Sequence, residues 1–139
     1  MPDTVRKVDY FSIQVPDKPG QAFSVLSALV SAGIDLLACS GSRCGDQAQI
    51  DVVPQHSSLF RAAVKKAGLA FTPRKSGFLV QGKDRPGALA QNLEKLAATK
   101  INVTAIDAVT AGEGRWGAII WVTPEDVANA VKVLRAKTK

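Results

Sequence analysis

Hydrophobic and polar residues alternate over "FSIQV" from Phe11, so Phe11, Ile13 and Val15 share one face of a strand. The same alternation returns 67 residues later at "FLVQG" from Phe78. Each run is stopped by Asp-x-Pro-Gly, at Asp17–Gly20 and Asp84–Gly87. Proline cannot continue a ladder but suits the first turn of a helix. Beyond each corner the period becomes helical. Ala22, Leu26, Leu29 and Val30 form the stripe in the first copy, and Leu89, Leu93, Leu96 and Ala97 in the second. Such i, i+4, i+7, i+8 spacing lays a helix against a sheet. Gly33 fits the residue just past the first helix, whereas Lys100 holds that place in the second without a glycine's ease.

Both copies continue alike. A second strand ("IDLLACSG", "INVTAIDAV") is followed by glycine turns at Gly45-Asp46 and Gly112–Gly114, then by a third strand ("AQIDVV", "WGAIIWV"). The second helix carries Leu59, Ala63 and Val64 in copy one and ends at Gly68. In copy two Thr123 is an N-cap, Pro124 the first helical residue, and Glu125 and Asp126 suit the positive helix end. Val127, Val131 and Leu134 supply that stripe. Residues 11–40 align without a gap on residues 78–107, with nine of thirty positions identical. The implied fold class is α+β: two ferredoxin-like βαββαβ repeats packed as a pseudo-dimer, with antiparallel sheets and helices on one face. Repeat one is expected over residues 1–75 and repeat two over 76–139.

The fourth strands are unequal. "LAFTPRK" (69–75) reads as one for copy one, but residues 135–139 are too short and polar to supply the other. That strand is missing or exchanged. With Ser76-Gly77 as a tight turn, 69–75 would pair with the first strand of copy two. The segment before Tyr10 is the other candidate to fill a gap. In the third strand of copy two, Trp116, Ala118, Ile120 and Val122 share one face while Gly117, Ile119 and Trp121 take the other. Helices cover only one, so a homodimer or larger assembly is expected, with Trp121 or Trp116 in the contact.

Composition narrows the function classes. The net charge of +6 invites a nucleic-acid reading, but each half carries nine basic and six acidic residues, and no run of three basic residues occurs. None of the eight aromatics is interleaved with Lys/Arg as a base-stacking platform would be. "MPDTVRKVDY" lacks a signal-peptide core, and no window approaches a membrane span, which implies a soluble, cytoplasmic protein. Cys39 and Cys44 are too few for a disulfide framework, and with His56 as the single histidine no metal site is expected. No catalytic set, phosphate loop or dinucleotide motif is present, so neither enzymatic activity nor a cofactor is expected.

The order strand, (Asp/Asn)-x-Pro-Gly, amphipathic helix, Ile-(Asp/Asn)-(Val/Leu) resembles the ACT domain, the regulatory module of amino-acid metabolic enzymes. The resemblance covers nearly the whole chain as two tandem copies with no catalytic domain. It implies a small ligand, most often an amino acid, held between paired domains. The family's loop positions fall on Asp17, Pro19, Gly20, Asp84, Pro86 and Gly87, and its second-strand positions on Asp35 and Asn102. A helix N-terminus favours a carboxylate, Gly20 and Gly87 let a ligand approach the backbone, and Asp17 or Asp84 can accept from an ammonium group. Val15 and Gly82 stand where some members have a polar residue, and Asp35 replaces the amide that Asn102 keeps. A single site, or one strong and one weak, is therefore expected rather than two equivalent ones. The same corners also suit folding alone, with Asp capping, Pro starting the helix and Gly permitting the turn. Function is thus read as a stand-alone amino-acid-binding regulator, or as a non-catalytic subunit docking on a biosynthetic enzyme.

Overall fold

The computed structural model describes residues 3–138. It divides into two compact units: Asp9–Lys75, and the described residues of Met1–Val8 together with those of Ser76–Lys139.

The unit from Asp9 to Lys75 takes most of β1 (Thr4–Pro16), then α1 (Gln21–Ser31), β2 (Leu36–Cys44), β3 (Gln47–Pro54) and α2 (Ser57–Ala67). Its strands run antiparallel in the order β2-β3-β1, with Phe11 opposite Val52 and Ile13 opposite Ile50. Gly45-Asp46 makes the β2–β3 turn, as the sequence implies, with Gly45 at a left-handed φ of 66°. Phe11, Ile13, Val15, Ile50 and Val52 form the core with Val25 and Leu29 of α1 and Phe60 and Val64 of α2. Phe60 stacks on Phe11 at 4.6 Å between ring centroids and meets the edge of Phe71 at 5.1 Å.

Two helix stripes differ from the sequence reading. α1 has seven apolar residues among eleven, so its sequence allows more than one buried face. Packing selects Val25 and Leu29, and Val30 is left 73% exposed. In α2 the buried residue is Phe60 rather than Leu59, because the Phe11 ring takes it as a stacking partner.

Residues 69–74 form no strand, contrary to the expectation for "LAFTPRK". The Thr72 N–H donates to the Ser12 carbonyl at 2.8 Å, and the Ser12 N–H donates to Thr72 Oγ1 at 3.0 Å. That hydroxyl takes the place of a ladder carbonyl, and Pro73 has no N–H to extend the pairing. Leu69 and Phe71 are instead drawn onto the core. Ser76-Gly77 is not a turn but part of β4 (Lys75–Lys83).

The other unit adds to β4 the elements α3 (Ala88–Ala98), β5 (Val103–Gly112), β6 (Arg115–Val122), a 3-10 turn at Pro124–Asp126 and α4 (Val127–Leu134). Thr123 is the N-cap with Pro124 at the first position, as read from sequence. β4, β6 and β5 are neighbours in that order and antiparallel, with Phe78 opposite Ile120, Val80 opposite Ala118 and Gly82 opposite Trp116. Both helices contribute to one core: Ala88 and Leu96 of α3 and Ala130 and Leu134 of α4 pack with Phe78, Val80 and Ile120.

The fourth-strand place of this unit is taken by Thr4–Val8 of β1, next to β4. Lys137 makes one parallel bridge to Arg6: its N–H donates to the Val5 carbonyl at 2.9 Å, and the Lys7 N–H donates to its carbonyl at 2.7 Å. The split βαβ order therefore occurs twice in an α+β fold, but its fourth strands are not built locally. Trp116 and Trp121 are both buried within the chain at 5% exposure. Neither is offered to a second protomer, so the expected contact through them does not hold.

Candidate functional site

Both helices behind the repeated corner begin on a left-handed glycine, Gly20 at φ 89° and Gly87 at φ 83°. Glycine is needed there for that backbone angle. Within 4 Å of the point where a Cβ would stand there is nothing in either case, so the backbone faces open space. Pro19 and Pro86 precede the N-cap, two residues before the first helical position at which the sequence reading places them. No side chain caps either helix, so Asp17 and Asp84 do not serve as caps. Their backbones tie each corner to a hairpin turn instead. The Asp84 N–H donates to the Gly114 carbonyl at 2.7 Å, and that of Asp17 to the Asp46 carbonyl at 3.3 Å.

The two corners differ in what surrounds them. Asp17 pairs with Arg43 at 2.9 Å on an exposed surface, an ion pair that contributes little to stability. At the second corner a groove of about 550 Å³ opens between the start of α3 and the middle of β5. Asp84 and Gly87 stand at its polar end, and Leu89, Leu93, Val109 and Trp116 form its apolar walls. Of the first-turn N–H groups of α3, that of Ala88 donates to the Arg85 carbonyl at 3.2 Å and that of Gln91 to the Gly87 carbonyl at 3.0 Å, which leaves those of Leu89 and Ala90 for a ligand.

Asp35 and Asn102 are exposed and stand just before β2 and β5. Along β5, Asn102 lies seven residues from Val109, about 23 Å at strand rise, so it is not brought to the corner of its own unit. Asp35 is at the corresponding place before β2, and its carboxylate accepts from the Leu36 N–H at 3.0 Å.

Sequence reasoning missed a polar cluster beside the second corner. Asp3, immediately before β1, has its carboxylate 8% exposed. Arg85 donates to it through both terminal nitrogens at 3.0 and 3.1 Å, Asn92 Nδ2 donates at 3.0 Å, and the Trp116 indole N–H at 3.3 Å. Burial pushes the Asp3 carboxyl up, but the bonds from Arg85, Asn92 and Trp116 and the Arg85 charge outweigh it. The group is held below its ordinary value of 3.8. Gly82 makes the arrangement possible, because a Cβ there would collide with the Asp3 carboxylate. The one signal in the sequence was that glycine, standing where a polar residue was expected.

Among the described residues no three His, Cys, Asp or Glu side chains converge as a metal-binding group. No described helix is long and apolar enough to cross a membrane. No protein-family model and no curated protein matches the chain significantly. Solved structures do. Protein BT0572 from Bacteroides thetaiotaomicron is 20% identical with a TM-score of 0.79, covering 94% of this chain and 88% of that one. The ligand-free regulatory subunit of aspartate kinase from Thermus thermophilus is 18% identical with a TM-score of 0.65, covering 97% and 95%. This chain has the tandem ACT-domain fold. A third structure, of aspartokinase alpha and beta subunits, matches at 20% identity and a TM-score of 0.57, with 97% and 95% covered. At these identities the likeness establishes the ACT fold and leaves the ligand to the chemistry of the corner.

Proposed function

We propose that the protein is a regulatory module that takes an amino acid at the corner Asp84-Arg85-Pro86-Gly87. The observation that carries this reading is the groove at that corner. At about 550 Å³ it falls within the range of small-molecule sites. A carboxylate suits the N–H groups of the first turn of α3, which the bare Gly87 backbone leaves accessible. Asp84 suits the ammonium group, and Leu89, Leu93 and Val109 suit an apolar side chain. Pro86 sets the corner's shape. Asp17, Pro19 and Gly20 form the weaker equivalent, since Arg43 already engages Asp17. Asn102 and Asp35 stand away from the corners of their own units, so their part in binding is to complete a site across an assembly of two or more copies. Ligand binding then favours the assembled state, and coupling follows from that difference in affinity.

A second reading, a non-catalytic subunit docking on an amino-acid biosynthetic enzyme, is favoured by the likeness to a chain in the aspartokinase alpha and beta subunit structure. Thermal unfolding against each of the twenty amino acids separates the two. Ligand at a hundred times its dissociation constant stabilises by about 2.7 kcal/mol. The first reading expects a raised midpoint with one amino acid or one chemical group of them, lost in Asp84→Ala and Asn102→Ala. No shift with any amino acid rejects it in favour of the second.

A further inference from the structure

Asp3 is held as a bound carboxylate ligand is held. Four donor bonds converge on its two oxygens, with the guanidinium of Arg85 meeting them as a fork. The donors do not depend on Asp3 for their own placement. Arg85 Nη1 also donates to the Lys83 carbonyl at 2.9 Å, and Nη2 to Gln91 Oε1 at 2.8 Å. Asn92 Nδ2 also donates to the Ala88 carbonyl at 3.0 Å and is only 2% exposed. Trp116 is fixed opposite Gly82 in the β4–β6 register. The receptor is therefore preorganised, and Gly82 leaves room for the carboxylate to enter.

Asp3 stands just before β1. It precedes the residues whose backbones bond to Lys137, so its side chain leaves without breaking that pairing. Beside it a cavity of about 670 Å³ continues along Gln91, Lys95 and Leu134, with Asp3, Arg85 and Asn92 at one end. That volume accommodates far more than one carboxylate group.

We propose that Arg85, Asn92 and Trp116 form a carboxylate-binding site which Asp3 fills from within the chain, and which a small free carboxylate takes when Asp3 swings out. The ligand is an organic acid whose carboxylate replaces that of Asp3 and whose body lies in the adjoining cavity. This site adjoins the groove at Gly87, with Arg85 and Trp116 common to both, and does not require an amino acid to bind there. Because Asp3 is tethered at high effective concentration, a free acid competes weakly in the wild-type chain and strongly once Asp3 is removed.

The test is chemical rescue of Asp3→Ala by acetate, read by thermal unfolding and tryptophan fluorescence against sodium chloride of equal ionic strength. The expected result is a dose-dependent rise of several degrees in the midpoint of Asp3→Ala, much less in wild type, and none in Asp3→Ala/Arg85→Ala. The fluorescence response should vanish when Trp116→Phe is added. Should Asp3→Ala be unfolded in plain buffer, recovery of the folded state with acetate reads the same binding. A midpoint or folded fraction that acetate leaves where sodium chloride leaves it overturns the proposal, as does an equal response in the variant lacking Arg85.

Discussion

Replacing Gly82 with alanine adds one methyl group to β4, and its consequence follows from a single contact. The new Cβ would occupy the space of the Asp3 carboxylate and lie 3.2 Å from Trp116 Nε1. The strand cannot yield easily, because Gly82 is paired with Trp116 across the β4–β6 ladder. Asp3 is therefore expelled, and its donors lose their acceptor. The bond from Asn92, a buried donor on a charged acceptor, contributes about 1.5–3 kcal/mol, and the longer Trp116 bond about 0.5–1 kcal/mol. Water replaces the contacts of Arg85, so the expected loss for Gly82→Ala is about 2–4 kcal/mol. Asp3→Ala removes the same bonds. In that background the alanine meets no carboxylate, so Gly82→Ala should then cost less than about 1 kcal/mol. The coupling between the two substitutions is thus expected to be about 2 kcal/mol. Urea unfolding of the four proteins followed by tryptophan fluorescence measures it, since Trp116 and Trp121 both lie in the unit that holds the cluster. Additive effects, or a Gly82→Ala variant as stable as wild type, would refute the idea that Gly82 is there to admit Asp3.

Two further outcomes follow. Lys100 sits at φ 60°, the left-handed region in which its counterpart Gly33 rests at 75°, so Lys100→Gly should raise stability by about 1 kcal/mol, and an unchanged melting midpoint would contradict this. The lowered Asp3 carboxyl contributes stability in full above its unfolded value near 3.8 and loses it as pH falls through the folded value. Asp3→Asn should therefore be less stable than wild type by a constant margin at neutral pH that closes only below the ordinary carboxylate range, and a margin that closes near pH 6 would assign it to another group.

The strand and helix periods and the two corners were legible because each is written within about ten consecutive residues. "FSIQV" alternates, Asp-x-Pro-Gly interrupts each copy, and the helical spacing resumes, all without reference to distant partners. The positive φ at Gly20, Gly87 and Lys100 follows the same local logic. Three features were decided only by tertiary structure. α1 has enough apolar residues for several faces, and packing chose Val25 and Leu29. The fourth-strand place beside β4 went to Thr4–Val8, and residues 69–74 met Ser12 instead. Asn92 breaks the apolar pattern of its helix, yet it is buried, with its amide donating to the Ala88 carbonyl and to Asp3. The bonds of that cluster join residues 82, 89 and 113 positions apart. A local period carries no trace of such a partner, because the free energy of the pairing exists only once the sheet has brought β1, β4 and β6 together.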